Sequence, residues 1–531
     1  MKGSLQNMIA GVFLILNTVR TLRFIQVYYQ LWYRIKPLFV HYNKNPIPIN
    51  EWKKMKWKDG ICNPKSYLGN NSFKFINIEH SFEGKINWNL STYKKLWTYN
   101  LNYFDFLNQE SLSKEEGLNL IYQFMDAYTY VIDGNESYPT ALRLINWIKF
   151  ISRHQIEDPY IFGVIHADSQ RLCNNLEYHL LGNHLLENAF ALWFSAHLFN
   201  DSRYFKIAKR LLKRELEEQI LTDGGHFELS PMYHQLMLCR VLDCIYLAKL
   251  NSNKFTIDMY PILMQKASKM LSWLENITYT NGEIPLVNDS ANKIAPDSNS
   301  LFSYCEKLQI SSAHLKLSAS GYRMVKTLNY ELLMDVGQIG ASYQPGHAHA
   351  DTFNFELNIN NNPVFIDTGT STYNISTVRS KERSTQAHNT IMVNDKNSSM
   401  VWSGFRVAKR ANVLIEKEIE QSIQATHDGY LNMGVLHRRT WAWSPNKISI
   451  IDHLSGTPKN AKAYFHFHPE VNLKIIDNGF KINNKHIVYF ENSISINTQT
   501  FEFAPEFNKR INSTFIEVVF SKQLKTSILI E

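Results

Sequence analysis

Between residues 111 and 308 apolar side chains return every three to four positions, whereas from residue 318 onward they return every second position in short runs. The helical period is carried by residues 115–131, 140–153, 167–180, 183–198, 204–219, 231–249 and 260–274, with short polar connectors between them. Helices joined so closely pack antiparallel, and a long series of such hairpins can curl into an α/α toroid whose concave end forms a cleft. The alternating runs fall at 331–336, 353–359, 364–366, 390–393, 447–451 and 515–520, separated by turn signals such as Asn360-Asn361-Asn362-Pro363 and Asp477-Asn478-Gly479. That rhythm predicts an antiparallel β-sandwich. The expected class is therefore α+β and multidomain: an N-terminal segment over 1–50, an α/α toroid over 51–315 and a sandwich over 316–531.

The first 50 residues have their own pattern. An apolar run over 8–19 follows Lys2 in the manner of a signal peptide, but it has no small-residue cleavage site. Arg20 and Arg23 interrupt it before it could cross a bilayer, so no transmembrane span is expected. Residues 24–38, with Tyr28, Tyr29, Trp32 and Tyr33, read as an amphipathic basic-aromatic helix. It either packs on the body, the expected outcome, or touches a membrane surface peripherally. The compartment stays open between the cell envelope or periplasm after export and the cytoplasm.

Length and charge narrow the function classes. A chain of 531 residues exceeds one ordinary core, and 44% hydrophobic with 20% charged residues is a globular composition. The net charge of +8 favours polyanionic partners. With no zinc-finger spacing, RNP-like strand or dense basic helix, nucleic acid is set aside in favour of an acidic polysaccharide. Aromatic residues at 13%, with 27 Tyr and 11 Trp, suit flat platforms for sugar rings. Five dispersed cysteines without CxxC spacing indicate neither a disulfide framework nor a cysteine zinc site, and are expected as buried thiols.

Three clusters carry candidate chemistry. Gly182-Asn183-His184-Leu185-Leu186-Glu187 opens a helix; Asn183 is a plain N-cap candidate, but His184 and Glu187 share one helix face. Asp223-Gly224-Gly225-His226-Phe227-Glu228-Leu229-Ser230-Pro231-Met232-Tyr233-His234 joins a glycine turn to a Pro-initiated helix with Tyr233 and His234 at its mouth. Gly346-His347-Ala348-His349-Ala350-Asp351 precedes a strand, and alternation sends both imidazoles to one side. With Asp367 and His388, one of them could complete a His/His/Asp metal site, for which zinc is the natural ion, structural or catalytic.

The order of these clusters, together with Leu96-Trp97-Thr98-Tyr99-Asn100-Leu101-Asn102-Tyr103-Phe104, Leu142-Arg143-Leu144-Ile145-Asn146-Trp147 and His388-Asn389-Thr390, resembles the heparinase II/III-like polysaccharide lyases over residues 95–470. The resemblance implies an incomplete α/α toroid followed by an antiparallel β-sandwich, and β-elimination at a uronate of an acidic glycan, of heparan sulfate type or a bacterial exopolysaccharide. In that chemistry the C5 proton leaves, the C4 oxygen is expelled, and the neighbouring carboxylate must be neutralised. Asn183, assisted by His184, is the candidate for the carboxylate. Tyr233 is expected as general base, general acid or both, and His347 either supports its phenolate or takes the C5 proton from the other face. The resemblance further implies a structural divalent metal, zinc by donor type, on His349, Asp367 and His388, with Glu187 orienting His184 and Glu228 supporting the group. His234, Arg379, Arg383 and Arg406 are candidates for substrate contact, and Trp402 for stacking on a sugar. The sequence departs from the family one turn beyond Tyr233, where Met237 and Leu238 stand in place of an arginine.

Two rival readings make different demands. A cupin-like metalloenzyme would use Glu356 as a ligand and give the helical half no purpose. A non-catalytic protein that binds or assembles an acidic glycan on the same fold would bind without cleaving.

Overall fold

The computed structural model describes residues 2–36, 45–253 and 256–531. Helices α1 (Lys2–Val19) and α2 (Phe24–Ile35) open the chain, and residues 37 and 38 of the expected second helix lie outside the described residues. A small antiparallel sheet of three short strands, Tyr67–Gly69, Ser72–Phe75 and Ile78–Ser81, follows. Its tight turns place Asn70, Asn71, Ile76 and Asn77 at positive φ, the left-handed geometry that two-residue hairpins require.

The helical half comprises α3 (Lys94–Tyr103), α4 (Lys114–Ala127), α5 (Ser137–His154), α6 (Pro159–Asn174), α7 (Gly182–Phe199), α8 (Ser202–Gln219), α9 (Pro231–Leu250), α10 (Tyr260–Ile277) and α11 (Ser298–Leu308). Their starts are written in the sequence. Ser113 and Glu116 form a capping box on α4, and Asp158, Asp201, Ser230 and Asp297 accept from the first free N–H groups of α6, α8, α9 and α11. Helices α5, α7 and α9 are buried on nearly every side, whereas α8 buries one stripe through Tyr204, Ala208, Leu211, Leu212 and Glu215. A helix apolar all round belongs at the centre and an amphipathic one outside, and α7 accordingly packs against α5, α8 and α9. The helix expected over 167–180 runs instead from Pro159 to Asn174, because Asp158 and Pro159 start it earlier. Residues 175–181 leave the helical path, and Leu181 takes φ 62°.

Beyond α11 the chain is built from antiparallel strands. One sheet is a meander of Tyr322–Lys326, Tyr330–Asp335, Phe355–Ile359 and Asn362–Phe365. The larger sheet runs from Val413–Ile419 through Ser422–His427, His437–Ser444, Lys447–Leu454, Lys509–Leu529 and His486–Glu506 to Gly479–Ile482 and Leu473–Ile476. Side chains alternate between core and solvent, so Ile448, Ile450 and Leu454 meet Leu332, Met334, Phe355 and Leu357 of the smaller sheet in one apolar layer. Arg439 ties the layers by donating to Phe353 O (2.7 Å) and Asn389 O (2.9 Å) while paired with Asp452. Of the cysteines, Cys239, Cys244 and Cys305 are buried as expected, Cys173 is half-buried, and Cys62 is exposed.

Candidate active site

The N-terminus of α7 is set by a backbone that ordinary residues avoid. Leu181 and Gly182 both have positive φ (62° and 57°), and a Cβ on Gly182 would lie 2.4 Å from Glu228 Oε1. Only glycine lets the Glu228 carboxylate come this close. Glu228 then accepts from Asn183 N (2.9 Å) and Asn183 Nδ2 (2.8 Å), which leaves the second amide hydrogen of Asn183 uncommitted. Leu229, next to Glu228, is also left-handed, with φ 58°. Two leucines in this conformation store strain on the order of 1–2 kcal/mol each, held by the packing around them.

His184 follows Asn183 and is oriented by a residue other than the one expected. Its Nδ1 stands 3.0 Å from Glu177 Oε1, and Asn188 Nδ2 holds the other oxygen of that carboxylate (2.9 Å). Glu187 instead pairs with Arg240 (3.2 Å), so the shared helix face of His184 and Glu187 does not become a contact. Burial alone would lower the pKa of His184; the Glu177 carboxylate outweighs it and leaves the value raised. The Tyr138 ring packs 4.4 Å from the imidazole. Arg240 lies two turns beyond Tyr233, one turn past Met237, and so restores a cation to this side of α9.

Tyr233 starts α9 and meets the β-rich half. Ser230 caps the helix by accepting from Tyr233 N, and its own hydroxyl donates to Asp289 O (2.9 Å). The Tyr233 ring lies 4.0 Å from that of His347, at 30°, and its hydroxyl is 3.3 Å from Tyr373 Oη. Burial raises the phenol well above its ordinary pKa, and the anions Asp289 and Glu228 add to the effect, so the hydroxyl keeps its proton. His347 Nε2 is 3.6 Å from Glu228 Oε2, which makes Glu228 the common neighbour of Asn183 and His347.

His347 is fixed by Asp289, a residue the sequence did not single out. Asp289 Oδ2 is 2.9 Å from His347 Nδ1, Oδ1 is 2.9 Å from His349 Nε2, and Arg379 pairs with both oxygens, Nη2 to Oδ2 at 2.7 Å. Burial acts to raise the Asp289 pKa, but Arg379 and the two imidazoles hold it far below the usual carboxylate range. Asn288 completes the turn, accepting from His349 N (3.0 Å) and donating to Leu229 O (3.1 Å). A single turn therefore holds the start of α9, both histidines and Arg379 in register.

The expected metal group is partly assembled. Nδ1 of His349 and Nε2 of His388 are buried without a partner, their rings are 5.3 Å apart, and Asp351 Oδ2 is likewise unpartnered. Asp367 accepts from His388 Nδ1 (2.8 Å) and Asn354 Nδ2 (2.6 Å), as a carboxylate behind a ligating imidazole does. Bare buried nitrogens of this kind suit a divalent cation. Among the described residues, however, no three His, Cys, Asp or Glu side chains stand close enough together to hold an ion. Glu356, the ligand a cupin-like site would need, is instead occupied by Tyr279 Oη (2.9 Å) and Leu286 N (3.0 Å).

The expected substrate contacts fare unevenly. His234 is fully buried against Met270 O (3.0 Å), Arg379 is committed to Asp289, and Arg383 donates to Ala348 O, Ser403 O and Arg406 O. Buried groups so engaged cannot reach a polymer. Trp402 is half-buried with its indole N–H on Thr18 Oγ1 (3.1 Å), while Arg406 is exposed. Phe405, exposed and 6.0 Å from the His347 ring, offers an apolar platform the sequence did not flag. The group as a whole can neutralise a carboxylate and move protons beside it.

Known proteins are similar to this chain in both halves. The description "Heparinase II/III N-terminus" matches residues 140–310, and "Heparinase II/III-like, C-terminal" matches residues 310–531. A heparin-sulfate lyase of Bacteroides stercoris is 23% identical over 314 residues, 54% of this chain and 45% of that protein, so the match spans less than half of the relative's length. Among solved structures, heparinase III shares 17% identity at a TM-score of 0.65, covering 85% of this chain and 80% of that one. The heparan sulfate lyase HepC of Pedobacter heparinus shares 16% at 0.56, covering 87% and 81%. These likenesses establish the fold, an incomplete α/α toroid followed by an antiparallel β-sandwich.

Replacing Asp289 with Asn leaves Arg379 buried without its anion, and the expected cost is about 3–5 kcal/mol of stability at neutral pH by chemical denaturation. The Asp289 pKa is depressed on folding, so its contribution is present above the ordinary carboxylate range and is lost as pH falls toward the folded-state value. The gap between parent and variant should therefore shrink on acidification; a gap that widens would contradict this.

Proposed function

This chain belongs to the heparinase II/III-like family, and from that premise we propose that it is a polysaccharide lyase cleaving a uronate-containing acidic glycan by β-elimination. The observation that carries the proposal is the meeting of Asn183, Tyr233 and His347 around Glu228, from segments far apart in sequence. The free amide hydrogen of Asn183 and the His184 imidazolium neutralise the substrate carboxylate, which lowers the barrier to losing the C5 proton. His347, with Nδ1 held by Asp289, takes that proton on Nε2. Tyr233, whose phenol is kept protonated, donates to the glycosidic oxygen as the C4–O bond breaks. The products are an unsaturated uronate and a new chain end. A divalent cation, zinc by donor type, would be held by the bare nitrogens of His349 and His388, with Asp367 behind His388, and would fix the sandwich side without entering these steps. Relatives named for heparin and heparan sulfate put glycosaminoglycan-type uronates first among substrates. The distinct surroundings of Tyr233, with Arg240 displaced by one turn, favour testing bacterial exopolysaccharides beside them.

The decisive assay follows ultraviolet absorbance of the C4–C5 double bond with heparan sulfate, hyaluronan, chondroitin sulfate, alginate and bacterial acidic exopolysaccharides. At least one should give signal, and Tyr233→Phe should reduce it on the order of 100-fold or more with folding intact. Silence on every uronate polymer, or full activity in Tyr233→Phe, would sink the proposal and leave the glycan-binding reading.

A second test concerns Glu177. Because Glu177 raises the His184 pKa, the protonated form persists to higher pH, and activity should fall on the alkaline side as that proton is lost. Glu177→Gln removes the raising charge, so the alkaline limb of kcat/KM should move to lower pH. An unmoved limb would separate His184 from carboxylate neutralisation.

A further inference from the structure

Helices α1 and α2 are held on the protein body largely through polar contacts. Thr18 accepts from the Trp402 indole (3.1 Å), Thr21 accepts from Arg410 (3.1 Å), and Gln26, buried, donates to Leu180 O (3.3 Å). Arg23 stacks on the Tyr343 ring at 3.7 Å and pairs with Glu218, while Lys36 reaches Asn175 Oδ1 (3.1 Å). The hairpin is thus pinned to both halves of the molecule.

Ile25 and Tyr29 pack inward, but a stripe of apolar side chains on each helix faces out. Phe24, Tyr28, Leu31 and Ile35 follow one stripe of α2 at helical spacing, and Val12, Leu16 and Val19 do so on α1, all exposed. Nine of the 27 exposed large hydrophobic side chains among the described residues lie between Val12 and Ile35, so the excess is local. The charge around them has one sign: residues 1–50 contain Lys2, Arg20, Arg23, Arg34, Lys36 and Lys44 and no Asp or Glu. Arg20 and Arg34 are exposed beside the stripes. No helix among the described residues is long and apolar enough to cross a bilayer, and the exposed stripe of α2 has the pattern of a helix lying in an interface.

We propose that the α1–α2 hairpin is a docking surface for an anionic lipid bilayer, with its apolar stripes in the acyl boundary and its arginines among the headgroups. An apolar face flanked by the exposed Arg20 and Arg34 matches a negatively charged membrane in both chemistry and sign. Since α2 holds the segment that leads into Gly182 and Asn183, attachment would present the cleft at a fixed height above the lipid.

Flotation of the full chain with vesicles tests this. The protein should float with phosphatidylcholine vesicles containing phosphatidylglycerol, and less with phosphatidylcholine alone. The variant Leu16→Glu/Phe24→Glu/Leu31→Glu changes only exposed positions, so it should melt as the parent does while binding falls about tenfold or more. Arg20→Glu/Arg34→Glu should weaken binding and lose its salt dependence without abolishing it. Absence of flotation in the parent, equal flotation of the triple variant, or a concentration-dependent dimer that the triple variant abolishes would each overturn the proposal, the last by making a second copy the occupant.

Discussion

A fully buried carboxylate survives only if its charge is answered on the spot, and Asp289 is answered by one guanidinium and two imidazoles. Those three partners come from segments 58 to 90 residues away in the chain. Because each must be in place for the carboxylate to be tolerated, the charge of Asp289 acts as a registration device. His347 is turned toward Tyr233 and Glu228, His349 keeps Nδ1 free on the sandwich side, and Arg379 is spent on structure instead of substrate. Through Ser230 the same turn fixes the first residue of α9, and with it Tyr233. Both walls of the proposed catalytic group thus take their positions from one residue.

A second anion, Glu228, does for the helical wall what Asp289 does for the other. Its approach to Asn183 depends on glycine at 182 and on left-handed backbone at Leu181 and Leu229, so the strain of these turns is spent on aiming one amide. The two carboxylates also set the electrostatics. Together with burial they keep Tyr233 protonated, a state suited to donating to a leaving oxygen and unsuited to starting as a phenolate. In the proposed mechanism, proton abstraction therefore falls to His347.

Much of this was legible in the sequence, and the gaps have physical causes. The helical period located α7, α8 and α9 nearly to the residue; Asp201 and Ser230 cap the last two and Pro231 starts α9, whereas α7 has a long apolar repeat without a side-chain cap. It misplaced α6, where Asp158-Pro159 was the better signal than the run of apolar residues that follows. Asn183, Tyr233 and His347 were singled out through the resemblance of their motifs to a known family, and the fold brings the three together. Asp289 was not, since Asn-Asp-Ser reads as any turn until its partners are known. Glu187 was assigned to His184 because i, i+3 spacing permits a contact; Arg240, closer to Glu187 in space, decides otherwise. Arg379 and Arg383 read in sequence as substrate contacts, and nothing local in sequence reveals that a guanidinium is buried and committed to the protein. The outward apolar stripes of α1 and α2 were hidden for the same reason: an amphipathic pattern shows that a helix has two faces, not which one meets the body.

The central claim is that Asp289 acts in turnover through His347. A double-mutant cycle on kcat/KM, at a temperature where all variants are folded, tests it most directly. If the claim holds, Asp289→Asn on top of His347→Ala slows the enzyme little beyond His347→Ala alone. If the two losses multiply, Asp289 works by some other route and the account of the site is wrong.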